Sequence, residues 1–280
     1  MEKIGDQLHV LKFPDLFNAN CFLIETESLF IVVDTFMGPA SMVPFLDYMK
    51  SRGGKRSLFI VNTHHHFDHV WGNCAFGDAA VVIAQEECLA MMRESAQATL
   101  DSYRKSSPDW EKGRVTIVLP GITFSRRLTI SDGTVDVVLE HLPGHSRDSL
   151  VVFLEPSHVC LAGDMVEDPF PLAHEGGPGT SLDLFIRNLG RLRKWKPRQV
   201  FPGHGERTDP SLADDNREYL SRLRSIVKKL IKEGKEPEPL NVAVEECLGR
   251  KSVLSDFYRE AHEGNVHAAA AQLSSPRGPA

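Results

Sequence analysis

The chain has 280 residues, with 32 basic against 38 acidic side chains and a formal charge of −6. That balance weighs against a general nucleic-acid binder, which carries a basic excess. A hydrophobic share of 41% with 25% charged residues excludes disordered, collagen-like and coiled-coil classes, and the length allows one or two domains with a sizeable core. In chain order, Leu8–Phe13, Cys21–Glu25 and Leu29–Val33 read as strands, rich in β-formers and separated by polar or small residues. Pro39 to Lys50 places Met42, Phe45, Leu46 and Met49 at helical spacing before a Gly53-Gly54 stop. Strands are expected at Leu58–Val61 and Val81–Ile83, and a helix from Gln85 to about Lys105. Further strands are read at Val115–Leu119, Val135–Leu139, Leu150–Leu154 and Val159–Ala162. Ser181 caps a helix whose apolar face is Leu182, Phe185, Leu189 and Leu192. After a brief strand at Gln199–Phe201, Asp209-Pro210 reads as an N-cap followed by proline at the first helical position. That helix ends near Gly234; a last helix runs from Ser255 to about Leu273, before a tail, 274–280, expected to be disordered. Strands and helices are mixed, with helices concentrated late, so the class is α/β or α+β.

The opening MEKIGDQLHV lacks the apolar segment of a secretory signal, and no run approaches the ~18 apolar residues of a membrane span. Cys21, Cys74, Cys88, Cys160 and Cys247 are scattered and form no CxxC, which suits buried, reduced thiols. A cytoplasmic location is the expectation that follows.

The informative segment is Thr63-His64-His65-His66-Phe67-Asp68-His69, directly after the strand Leu58–Val61. In extended backbone His64 and His66 point to the same side, which turns His65 away. Asp68 and His69 lie where the chain turns toward a helix. The stretch can therefore feed one metal from His64 and His66 and a second from Asp68 and His69. Imidazole with carboxylate suits zinc, iron or manganese better than calcium. Three more candidates sit at strand-to-loop positions, each preceded by glycine: His145 in Pro143-Gly144-His145, Asp164 in Gly163-Asp164, and His204 in Pro202-Gly203-His204. Any one of these alone is ordinarily a turn. Their joint order and placement carry the inference.

With these residues the sequence resembles the metallo-β-lactamase superfamily. His64, His66, Asp68 and His69 match its H-x-H-x-D-H motif; His145, Asp164 and His204 match the downstream ligands; Val32-Val33-Asp34-Thr35 resembles the early VDT segment. The resemblance spans about Leu8 to Arg207. It implies an α+β fold, an αββα sandwich of two mixed β-sheets flanked by helices, with residues 1–235 as catalytic domain and 236–280 as a helical extension packed on it. It also implies two divalent metals, zinc first, with iron or manganese as alternatives. By that pattern His64, His66 and His145 hold one, Asp68, His69 and His204 the other, and Asp164 bridges them. Asp34 is read equally as a partner of a ligand histidine or as a turn aspartate.

The implied chemistry is hydrolysis of an ester-like bond, thioester or lactone, by a hydroxide shared between the metals, with Asp68 orienting it and shuttling its proton. The expected substrate is a small molecule rather than nucleic acid or membrane. The ligand set is similar to that of glyoxalase II, but Gly144-His145-Ser146-Arg147-Asp148-Ser149 departs from the usual continuation, which weakens glutathione specificity. The main alternative is an iron-dependent persulfide dioxygenase, disfavoured because Met165-Val166-Glu167-Asp168-Pro169-Phe170 lacks that family's segment. A β-lactamase, a phosphodiesterase or nuclease, and a non-catalytic protein rank lower. Phe36, Met37, Trp71 and Phe170 adjoin the motifs as pocket candidates, with core burial the default. His174 is read as a surface histidine, and Arg147 with Asp148 as a structural pair or a substrate contact. The Gln85–Lys105 helix and the C-terminal helices are left open as a cover for the site or as a homodimer contact.

Overall fold

The computed structural model describes residues 1–15, 17–106, 114–173, 177, 179–234, 241–249 and 254–274. Seven strands form one sheet in sequence order: β1 (Glu2–Ile4), β2 (Leu8–Phe13), β3 (Ala19–Glu25), β4 (Leu29–Val33), β5 (Ser57–Val61), β6 (Ala80–Gln85) and β7 (Ile122–Phe124). The first four pair antiparallel; β4 through β7 pair parallel. The second sheet has the order β12 (Gln199–Phe201), β11 (Val159–Leu161), β10 (Leu150–Glu155), β9 (Asp136–His141) and β8 (Arg127–Ser131). Its members are antiparallel except β11 with β12.

Side chains alternate across each strand, so each sheet has two apolar faces. The inner faces meet: Val10, Phe22, Ile24, Ile31 and Val33 pack against Val137, Leu139, Val152 and Leu161. On the outer face of the larger sheet, Leu23, Phe30, Val32 and Ile60 pack with Phe45 of α1 (Val43–Arg52). On the outer face of the smaller sheet, Val151, Phe153 and Val200 pack with α5 (Leu182–Leu192), α6 (Ser211–Lys232) and α8 (Asp256–Ser274). The result is the expected helix–sheet–sheet–helix sandwich. Burial on both faces explains why the central strands read as near-continuous apolar runs. Four further α-helices complete the described set: α2 (Phe67–Val70), α3 (Glu86–Met91) and α4 (Gln97–Ser106), and α7 (Val244–Leu248) between α6 and α8.

Most elements fall where the residue pattern places them. Ser181 caps α5 by accepting from the Leu184 N–H at 3.1 Å, and the four predicted apolar residues are buried. The expected helix from Gln85 forms as α3 and α4 joined by one π-helical turn, Met92–Ala96. Helix α6 begins one residue late, with Pro210 as its cap. The strand predicted at Val115–Leu119 is not formed. Val115 is buried against α3 and α4, and its carbonyl accepts from Arg104 rather than from a ladder. The chain instead pairs at β7 and β8, two edge strands whose partly exposed residues give no apolar run. All five cysteines are free, four of them buried. No described helix is long and apolar enough to cross a membrane. His174 and residues 275–280 lie outside the described residues.

One polar contact fastens α1 to the larger sheet. Glu25, buried at the end of β3, accepts from the Tyr48 hydroxyl at 2.6 Å and from Arg52 Nε at 2.7 Å. Burial opposes its ionisation, but Tyr48 and Arg52 outweigh that and hold the carboxyl below its ordinary value. A carboxyl whose folded value is depressed stabilises the fold above its unfolded pKa of about 4.3, and that contribution fades as pH falls through the folded value. Glu25→Gln is therefore expected to cost about 1–2 kcal/mol at pH 7, discounted because Arg52 is half-exposed. Urea midpoints of wild type and variant should converge as pH falls below about 4.

Candidate metal centre

The carboxyl ends of β4, β5, β11 and β12 and the β9–β10 loop reach the same rim of the sandwich. Sheets with parallel strands present functional side chains at that end. β4 delivers Asp34, and β5 delivers the run from Asn62 to His69. The loop after β9 brings His145, β11 brings Asp164, and β12 brings His204. The two sheets are tied together here: Leu150 N–H donates to Thr63 O at 2.9 Å, and Asn20 N–H to Gly203 O at 2.8 Å.

The seven predicted residues converge in two groups. His64, His66, His145 and Asp164 each offer a donor atom within 4.8 Å of the others, and so do Asp68, His69 and His204. Asp164 spans both. Its Oδ2 lies 3.6 Å from both His64 Nε2 and His145 Nε2. Its Oδ1 lies 3.3 Å from His69 Nε2 and 3.5 Å from His204 Nε2. Asp68 Oδ2 faces His204 Nε2 at 3.3 Å and His69 Nε2 at 3.7 Å. His65 points away, as expected, and its Nδ1 meets the buried Asp148 carboxylate at 3.1 Å.

The opposite ring atoms are fixed by groups of the chain. Asp34 accepts from His69 Nδ1 at 2.8 Å and from the Thr63 N–H and hydroxyl at 2.8 and 2.7 Å. It is thus a partner of a candidate ligand and not a turn aspartate. The Phe17 carbonyl lies 2.8 Å from His204 Nδ1, and the Leu172 carbonyl 3.1 Å from His145 Nδ1. Sequence reasoning missed these carbonyls, because any residue supplies one. It also missed a buried polar net under His69: Asn62 and Thr35 both donate to the His69 carbonyl, and both contact Asn73. Thr35 in the VDT segment and Asn62 beside the motif were the available signals.

Two glycines are required by contact. A Cβ on Gly203 would fall 2.0 Å from Asp164 Oδ1. Gly163 has φ of +50°, and a Cβ there would meet Thr63 Oγ1 at 2.7 Å. Phe17 and Asn18 also adopt positive φ, 58° and 49°. Such conformations cost of order 1–3 kcal/mol and persist only where the surroundings impose them. Here the Phe17 carbonyl is held by His204 and the Asn18 carbonyl by the Gly205 N–H at 2.8 Å.

The electrostatics suit cations. Burial pushes His64, His66 and His145 down, His66 to about 3, so these rings are neutral donors. Burial opposes charge on Asp68 and Asp164, yet the His69 and His204 rings beside them prevail. Asp68 is held at about 2 and Asp164 well below the carboxylate range. Burial likewise works against protonation of His69 and His204, but the Asp164 carboxylate carries both well above the usual imidazole value. His64 Nε2, His69 Nε2 and Asp164 Oδ1 are buried without a hydrogen-bond partner. Buried polar atoms of that kind ask for an explanation, and a cation between ring nitrogens and carboxylates supplies it. The donor set, five imidazoles and two carboxylates, fits two divalent transition metals.

A cavity of about 360 Å³ opens onto the centre. His66, Asp68, Asp164 and His204 line one side, with Glu167 beside them; Phe17, Phe67, Leu172 and Phe257 form apolar walls. Phe36, Met37, Trp71 and Phe170 line none of it and are buried in the core, their default place. Arg147 and Asp148 do not pair with each other: Arg147 pairs with Glu87 at 3.1 Å and Asp148 with His65.

The fold is an αββα sandwich with a candidate metal centre at its rim, and the sequence profile of the metallo-beta-lactamase superfamily matches residues 14–204. The chain belongs to that superfamily. It is 30% identical over 204 residues to the human acyl-coenzyme A thioesterase MBLAC2, covering 66% of this chain and 72% of that one. It is 29% identical over 226 residues to an N-acyl homoserine lactonase of Bacillus cereus, covering 66% and 80%. Among solved structures, a metallo-beta-lactamase from Pontibacter korlensis superposes with a TM-score of 0.63 at 20% identity, covering 79% of this chain and 97% of that one.

Proposed function

We propose that this chain is a metal-dependent hydrolase of acyl bonds, a thioesterase or lactonase acting on a small molecule. His64, His66 and His145 would hold one divalent cation, Asp68, His69 and His204 a second, and Asp164 both. The observation that carries this reading is Asp164, whose two oxygens each face a different pair of histidines. The acyl preference is supported by relatives named as an acyl-coenzyme A thioesterase and an N-acyl homoserine lactonase. The cavity supports it too: its described lining contains no Lys or Arg to neutralise a phosphodiester. Packing of Ala261, Val266 and Ala269 of α8 into one cluster with Phe153 and Leu220 supports taking residues 236–280 as an extension of the catalytic domain.

When bound, such cations, zinc first with iron or manganese as alternatives, polarise a carbonyl oxygen and lower the pKa of water toward neutrality. The chain's own residues position and move protons. Asp34 and the carbonyls of Phe17 and Leu172 set the orientation of His69, His204 and His145, which fixes which ring nitrogen faces the centre. Asp68 lines the cavity in its ionised form. It is placed to accept a proton from attacking water and return it to the departing thiolate or alkoxide.

The test is a panel of thioesters, lactones, a chromogenic cephalosporin, a phosphodiester and glutathione persulfide, run on zinc, manganese and iron forms. A thioester or lactone is expected to give the highest kcat/KM, at least tenfold above the cephalosporin. A cephalosporin ahead of every acyl ester would overturn the reading. Oxygen uptake with the persulfide would replace it by an oxygenase.

A further inference from the structure

The cavity has two chemical halves, and the second half is built from opposite ends of the chain. Phe67 stands between two candidate ligands on α2, and its ring packs on Trp71 and Tyr103 at 5.0 and 4.7 Å. Phe17 comes from the β2–β3 loop, and its ring meets that of Phe67 edge-on at 6.4 Å. Phe257 is the second residue of α8, and its ring lies 6.1 Å from that of Phe17. Phe17 and Phe257 are each 43% exposed, although both rings could be buried at a gain. Phe257 also lies beyond residues 14–204, so the superfamily profile does not account for it.

These rings are held, not loose. The Phe17 backbone is pinned by His204. Helix α8 is locked to the wall of the cavity by Asn265, fully buried, which donates to Pro171 O at 2.9 Å and accepts from the Ala173 N–H at 2.6 Å. That contact sets Leu172 as the facing wall while fixing the register that puts Phe257 at the mouth. Next to Phe257, Tyr258 rests against buried Phe170 at 5.3 Å. An apolar wall of preset shape beside a polar reacting centre recognises a ligand with a polar end and an apolar tail.

We propose that Phe17, Phe67 and Phe257 form an aromatic clamp for the apolar acyl tail of the substrate, which makes α8 the element that sets acyl-chain selectivity. The proposal rests on the reading of the chain as an acyl hydrolase and narrows it to substrates with a medium or longer acyl chain. No Lys or Arg lines the described wall to hold an anionic leaving group inside the cavity.

The test compares wild type, Phe257→Ala, Phe17→Ala and the milder Phe257→Leu, all metal-loaded, on acetyl, butyryl, octanoyl and decanoyl thioesters of one thiol. Wild type is expected to favour decanoyl over acetyl by at least tenfold in kcat/KM. Phe257→Ala should lower that ratio about tenfold, chiefly through KM, with Phe257→Leu in between. Equal loss across the series, or an unchanged ratio, overturns the clamp. Calorimetry with two uncharged probes, octanamide and butanamide, gives a readout free of turnover. Wild type should bind octanamide at least tenfold tighter, and Phe257→Ala should lose most of that difference. Absence of any preference in wild type overturns the clamp. Retention of the binding preference in a protein that cleaves no thioester or lactone overturns the acyl-hydrolase reading and leaves the apolar subsite standing.

Discussion

Asp164→Ala is expected to cut metal content from about two cations per chain to one or fewer and to lower kcat/KM at least a thousandfold. Asp164 is the group both clusters share: Oδ2 faces His64 and His145, and Oδ1 faces His69 and His204. Its removal takes a negative charge and a donor from both sides at once. A thousandfold loss is about 4 kcal/mol of transition-state stabilisation, the size expected when charge-stabilising groups are disrupted. Chelation of the wild-type protein should reproduce the loss, and returning zinc or manganese should reverse it. The same additions should raise the thermal midpoint, because a cation that binds only the folded chain stabilises it by mass action. Elemental analysis with parallel kinetics decides the matter. A variant that keeps two cations and activity within tenfold of wild type would remove Asp164 from the centre.

Asp68→Ala and His65→Ala should separate chemistry from stability. Asp68 lines the cavity, carries its charge at neutral pH and faces His204 and His69. At saturating metal its loss is expected to lower kcat by two to four orders of magnitude, the range of a positioned general acid–base group, with a much smaller effect on the urea midpoint. His65 sits three positions earlier but turns outward to Asp148. Asp148 is fully buried and also accepts from the Ser146 hydroxyl at 2.7 Å. Removing the His65 ring strands part of that buried carboxylate, which costs about 1–3 kcal/mol of stability. The His65→Ala protein, refolded and metal-loaded, should keep kcat within about tenfold of wild type. Equal losses of kcat at equal metal content would contradict the inward and outward assignment of these side chains.

The legible part of the site is the part written in residue type. Histidine and aspartate are the side chains that bind metals, and the alternation of His64, His65 and His66 after a strand already separates inward from outward. The supporting groups are of another kind. The carbonyls of Phe17 and Leu172 orient His204 and His145, yet a backbone carbonyl carries no sequence signal. Asp34 was ambiguous in sequence, because an aspartate after a strand serves equally in a turn; only the approach of His69 Nδ1 to 2.8 Å resolves it.

The same division holds for the fold. Strands with both faces buried announce themselves as apolar runs, and α5 does so through its capping serine and apolar stripe. Val115–Leu119 carried the same β-branched signal but found no strand partner, while β7 and β8 paired with little apolar signal. Sheet edges depend on which neighbour is within hydrogen-bonding reach, and local composition does not record that. Sequence by itself determined the candidate metal ligands and their order, through side-chain chemistry, and the mixture of strands and helices, through the period of apolar residues; the sandwich came from the family resemblance that those ligands carry. Tertiary structure alone decided which walls surround the cavity. Phe17 and Phe257 are 240 positions apart, and their rings come within 6.1 Å because α8 packs across the outer face of the smaller sheet and the Phe17 loop is pinned to His204.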